Sequence, residues 1–279
     1  MVEITYRSVE GGSNDVRHPT DSDEALSWLD EGNRLFASLG TEAEPGSGEN
    51  SSLVIEADFG FGAVRGEAPR QHPFGVVLGC ADARVPIELV FGRAVNDLFV
   101  VRIAGNSVGA DAVGSINYAV HHFPSVRVAV VLGHSQCGAV SAAAEAFLMP
   151  RAFLDLADSL PLRSLLDRIL TAVRAAAKAL EAVHGANAHG LPGYKAALTD
   201  VAVAINAAYA AYNLRAELVQ QSGSHVQVVW GIYDLATRRA GIPGTVTAPL
   251  GPPPADAEQF RQLAWALASS QRTLDLLGK

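Results

Sequence analysis

The sequence predicts an α/β protein: a mainly parallel central β-sheet of four to five strands flanked by helices. Two observations predict it. Residues 74–79, 98–103, 126–133 and 226–230 are short, near-continuous apolar runs, mostly bounded by turn residues. Stretches with helical periodicity alternate with them, and strands apolar on both faces belong to a parallel sheet covered on both sides.

In chain order, residues 1–21 are polar and aperiodic and are expected to form an arm. A helix is expected from Ser22, which can cap it, with Asp23 and Glu24 in the positive first turn. Ala25, Leu26, Trp28, Leu29, Leu35 and Phe36 supply its apolar contacts. Residues 40–73 are rich in Gly, Glu, Ser and Pro and read mostly as loop, with a short strand at 53–55. Strands at 74–79 and 98–103 precede a helix at 111–123, a strand at 126–133 and an alanine-rich helix at 137–148. Helices at 162–184 and 194–221 follow, the second stopping near Gly223, and then a strand at 226–230. Residues 22–236 are expected as the main domain. Residues 237–279 read as a Pro/Gly-rich linker followed by one helix over 255–277.

The chain has 279 residues, 49% of them hydrophobic, enough to bury a large core. A formal net charge of −8 argues against nucleic acid or an anionic membrane as partner and leaves a small-molecule substrate as the expectation. No apolar run approaches the roughly 20 residues needed to span a bilayer. The start, Met1-Val-Glu-Ile-Thr-Tyr-Arg7, has no basic region leading into an apolar stretch, so no signal peptide is expected. A reducing cytoplasm fits these features and suits free thiols.

The only two cysteines, Cys80 and Cys137, fall near strand exits, and His134 follows the run at 126–133 directly. Ligands bind beyond the carboxyl ends of parallel strands. Two thiols and an imidazole there offer three ligands to a soft or borderline cation, and His-x-x-Cys lets one loop present two of them. Three ligands without an obvious fourth suit a catalytic zinc better than a closed structural site. The bland alternative is two reduced buried cysteines beside a core histidine.

Asp82 and Arg84 follow Cys80 closely, and an adjacent Arg keeps an Asp ionised and oriented. The same spacing also occurs in ordinary turn ion pairs. The glycines of Ala104-Gly-Asn-Ser-Val-Gly109 lack the dinucleotide-loop spacing and are followed by no phosphate-binding Lys.

These motifs resemble the β-class carbonic anhydrases. The resemblance rests on residues 26–36 (Leu-Ser-Trp-Leu-Asp-Glu-Gly-Asn-Arg-Leu-Phe), Gln71-His-Pro73, Cys80-Ala-Asp-Ala-Arg-Val-Pro86 and Asp97-Leu-Phe-Val-Val-Arg102. It continues through Ala104-Gly-Asn106, Gly114-Ser-Ile-Asn-Tyr-Ala-Val120, Gly133-His-Ser-Gln-Cys-Gly-Ala-Val140 and Gly231-Ile-Tyr-Asp234. It implies one zinc ion per chain on Cys80, His134 and Cys137, with Asp82 and Arg84 as a catalytic dyad. It implies a substrate pocket formed by Gln71, Val85, Phe99, Tyr118 and Gly138. The implied reaction is reversible hydration of carbon dioxide to bicarbonate and a proton by a metal-bound hydroxide that Asp82 orients. A homodimer or dimer-based tetramer is implied, with the N-terminal helix packed on a partner subunit and active sites at the dimer interface. A carbonyl sulfide or carbon disulfide hydrolase, a non-catalytic zinc or bicarbonate-binding protein, and a thiol redox protein are the alternatives. The last lacks a Cys-x-x-Cys motif.

Overall fold

The computed structural model describes residues 2–8, 18–39, 51–57, 70–149, 151, 159–222, 226–244 and 249–279. Most of the loop expected over 40–73, namely 40–50 and 58–69, lies outside them, as do 1 and 9–17 of the expected arm.

Strands β3 (Gly75–Gly79), β4 (Leu98–Arg102), β5 (Val128–His134), β6 (Gln227–Tyr233) and β7 (Ala240–Gly241) form one sheet in the order β4-β3-β5-β6-β7. The first four run parallel, and β7 is antiparallel to β6. β3 and β5 are buried along their whole length, as their unbroken apolar runs require. Alternation sends Val76, Leu78, Ala129 and Val131 to one face and Val77, Val128, Val130 and Leu132 to the other.

The first face carries α3 (Ala110–His122), α4 (Gly138–Leu148), α5 (Leu160–His184) and α6 (Tyr194–Ser222). The second carries α1 (Ser22–Ser38) and the short α2 (Ile87–Val90). Asp21, rather than Ser22, caps α1: its carboxylate accepts the Glu24 amide at 2.9 Å, and an ionised acceptor suits the positive helix end. Gly32 lets α1 approach the α2 end so closely that a Cβ there would sit 1.8 Å from the Phe91 carbonyl oxygen. Next to it, buried Asn33 donates to the carbonyls of Val90 and Arg238 and accepts from the Ala240 amide.

The structure adds α2 and places β7 inside the expected linker, and it differs from the sequence reading at both chain ends. The polar N-terminal stretch contains a strand, β1 (Val2–Ser8), paired in parallel with β2 (Ser51–Ala57), which covers the expected 53–55. The terminal helix is two helices, α7 (Ala257–Ala268) and α8 (Gln271–Leu277). Ser270 divides them, because its hydroxyl accepts the Thr273 amide and starts a new helix. Arg272 of α8 then bonds both Asp200 of α6 and Asp234 beyond β6.

Candidate metal centre

Parallel register places the carboxyl ends of β3 and β5 side by side, with Gly79 opposite Leu132. Cys80 leaves β3, His134 ends β5, and Cys137 is the N-cap residue of α4. All three side chains are buried. Their ligand atoms lie within 4.8 Å of one another, with the two sulfurs 3.9 Å apart. No other group of three His, Cys, Asp or Glu side chains among the described residues converges in this way.

The local chemistry fits a cation. His134 Nδ1 lies 3.0 Å from the Ser135 carbonyl oxygen, which only an N–H can satisfy. That assigns the proton of the neutral ring to Nδ1 and leaves a lone pair on Nε2, which is buried without a hydrogen-bond partner among the described residues. The Gly105 amide donates to Cys80 Sγ at 3.2 Å. The hydrogen bond from the Cys137 thiol lowers the pKa of Cys80 against the opposing effect of burial, and the Asp82 and Gly105 amides assist it. Cys137 is pushed far above the ordinary thiol range by sharing its proton with Cys80 and by burial. The two sulfurs are thus close enough to share a hydrogen bond, an arrangement that favours thiolate character at Cys80. Two sulfurs and an imidazole nitrogen are a zinc donor set.

Asp82 stands beside this group, its Oδ2 3.8 Å from His134 Nε2. Arg84 grips the carboxylate with two bonds, Nε to Oδ1 at 3.0 Å and Nη2 to Oδ2 at 2.8 Å, and its amide adds a third at 2.9 Å. The Arg84 side chain is the main reason the Asp82 carboxyl lies far below the usual range, against the opposing effect of burial. Arg84 also reaches the Gln136 carbonyl, across on the His134–Cys137 loop. That loop turns at Gln136, whose φ of 57° is left-handed.

Three supporting residues carry no signal in ligand spacing. Arg102, at the end of β4, donates to the carbonyls of Cys80 (3.0 Å) and Asp82 (2.5 Å) and so holds the loop between them. Gly105, at φ 64°, aims its amide at the sulfur. Asn206, in the middle of α6, donates to the Gly105 carbonyl at 2.9 Å. A lone amide side chain on the apolar face of an alanine-rich helix was the available clue to Asn206.

The expected pocket residues are dispersed. Phe99 is half-buried against the face that holds Cys80 and Cys137, with its ring 6.5 Å from Tyr118. Tyr118 is 49% exposed and stacks on His122 at 4.1 Å. Gln71 and Gly138 are exposed, and Val85 is buried in the cluster on the opposite face.

A family model described as carbonic anhydrase matches residues 75–240, more than half of the chain and the whole of this centre. The chain belongs to the β-carbonic anhydrase family. Carbonic anhydrase 2 of Mycobacterium tuberculosis is 49% identical over 78 residues, 28% of this chain and 37% of that protein. Carbonic anhydrase of Mycolicibacterium smegmatis is 49% identical over 72 residues, 26% of this chain and 34% of that one. The aligned region thus spans little more than a third of these curated relatives. Among solved structures, a tetrameric β-carbonic anhydrase from Sordaria macrospora aligns with a TM-score of 0.47 and 24% identity, covering 64% of this chain and 84% of that one. No helix among the described residues of this family member is long and apolar enough to cross a membrane.

Proposed function

We propose that this chain catalyses the zinc-dependent, reversible hydration of carbon dioxide to bicarbonate and a proton. The observation that carries the reading is the ionised Asp82 carboxylate, fixed by Arg84, beside three convergent buried ligands. Cys80, His134 and Cys137 would hold the zinc. When bound, it supplies a Lewis acid that makes water nucleophilic near neutral pH.

The chain's own residues do the rest. Asp82, acceptor-only while ionised, takes a hydrogen bond from the reacting water and directs its lone pair at the carbon of the substrate. Arg84 keeps that carboxylate charged and stops it rotating. Phe99 and Tyr118 offer an apolar wall suited to an uncharged linear molecule, with the exposed Gln71 and Gly138 free to contribute; Val85, buried on the opposite face, would act only by holding the turn that carries Asp82 through its amide. Water supplies the oxygen that bonds to carbon, and its proton leaves to buffer. The catalytic unit is taken as residues 22–236, with 1–21 contributing β1 and 237–279 packing onto it through β7 and α8. The working form is a cytoplasmic homodimer or dimer-based tetramer, with α1 packed on the partner and Gln71 and Tyr118 reaching its active site. Their exposure in the single chain supports this.

Metal analysis of the purified protein and stopped-flow carbon dioxide hydration test the reading together. About one zinc per chain with measurable turnover is the expected result. A zinc content below about half, with no activity after zinc is added, overturns it. Parallel assays with carbonyl sulfide and carbon disulfide decide the substrate.

A further inference from the structure

Among the described residues, β1 has a strand neighbour on one side only, β2. A two-stranded ribbon is marginal by itself, and parallel pairing is the weaker kind. β2 buries Leu53, Ile55 and Ala57 against Leu39 and Ala94. Register sets Ile4 beside Leu53 and Tyr6 beside Ile55, so Val2, Ile4 and Tyr6 continue the same apolar face. They remain 51%, 36% and 42% exposed. An open strand of this kind is a template for another strand.

The strand is complementary to itself. Two copies of Val-Glu-Ile-Thr-Tyr-Arg-Ser laid antiparallel about a two-fold axis at Thr5 place Glu3 of each opposite Arg7 of the other. The same register places Ile4 opposite Tyr6 and Val2 opposite Ser8. Oppositely charged pairs and pairs of aromatic with β-branched side chains are the contacts that stabilise antiparallel strands. Moving the axis by one residue in either direction loses both charge pairs, so the charges select a single register. Arg7 already lies 3.9 Å from Glu56 on β2, with both side chains well exposed. Its guanidinium has donors for a second carboxylate on the other side. The charged row would then run Glu56, Arg7, and Glu3 of the second copy.

We propose that β1 pairs antiparallel with β1 of a second copy of this chain about a two-fold axis at Thr5, joining the two ribbons into one continuous sheet. The contact does not rest on the catalytic reading, and activity is not its readout.

Light scattering after size-exclusion chromatography of the full-length protein, over a micromolar concentration series, tests it. Glu3→Arg and Arg7→Glu, each alone, set like charges opposite one another twice per contact. Each is expected to shift the assembly to the smaller species and raise its dissociation constant by about tenfold. An equimolar mixture of the two variants pairs opposite charges again and is expected to return the larger species, as is the double variant Glu3→Arg/Arg7→Glu. Equal masses for the wild type and both single variants at every concentration overturn the proposal, because another segment or solvent then covers the strand. A single variant that shrinks the assembly without rescue on mixing also overturns it, since the damage then lies within the β1–β2 ribbon.

Discussion

Cys80, His134 and Cys137 are almost inaccessible, and each meets a backbone partner: the Gly105 amide, the Ser135 carbonyl, and the first amides of α4. Gln71 and Tyr118, which would meet substrate, stand at the surface of the single chain. On the proposed reading, one chain builds the metal half of the site and leaves the substrate half open. Metal binding would then be a property of the protomer and turnover a property of the assembly.

The most damaging way to probe the contrast is to attack the closed half. Cys137→Ser is expected to lower zinc affinity by on the order of a thousandfold, beyond the 10–100-fold typical of changes around a ligand, and to abolish hydration with it. A full complement of zinc in that variant, by metal analysis, would break the assignment. Asp82→Asn keeps the shape but removes the charge. Turnover is expected to fall about 100- to 1,000-fold with zinc content unchanged, and wild-type rates by stopped flow would remove Asp82 from the chemistry.

Changes in the open half are expected to be milder. Tyr118→Ala exposes no core and is expected to shift stability by less than about 0.5 kcal/mol while lowering kcat/KM several-fold. If zinc content drops as well, the two halves are not separable. The smallest effect is electrostatic. Asp82 has a depressed folded-state pKa, so its stabilisation is present above the unfolded value near about 4 and is lost as pH falls through the folded value. Arg84→Ala is expected to bring the carboxyl back toward about 4 in an NMR titration of the side chain. An unmoved titration would show that Arg84 is not its main partner.

The parallel sheet was legible because β3 and β5 are apolar on both faces, and that periodicity follows directly from burial. The ligands were legible because they lie at the ends of those same strands. β1 was not, since its residues are mostly exposed and a strand held by only one neighbour leaves little hydrophobic imprint. The break between α7 and α8 hid for a different reason: a serine that caps a new helix looks locally like a serine within an old one. Arg102, Gly105 and Asn206 act through backbone groups brought together from β4, the turn after it and α6, a proximity that exists only after folding.

The bond from Asn206 to the Gly105 carbonyl has a consequence for timing. The amide that faces the Cys80 sulfur is held from a helix of another layer, so its direction is set before any ion arrives. On the proposed reading, capture of zinc would need little rearrangement, and escape would require loosening a buried frame rather than turning one side chain. Exchange with a chelator in solution is expected to be slow at a given affinity, and Asn206→Ala to quicken it more than it weakens the equilibrium.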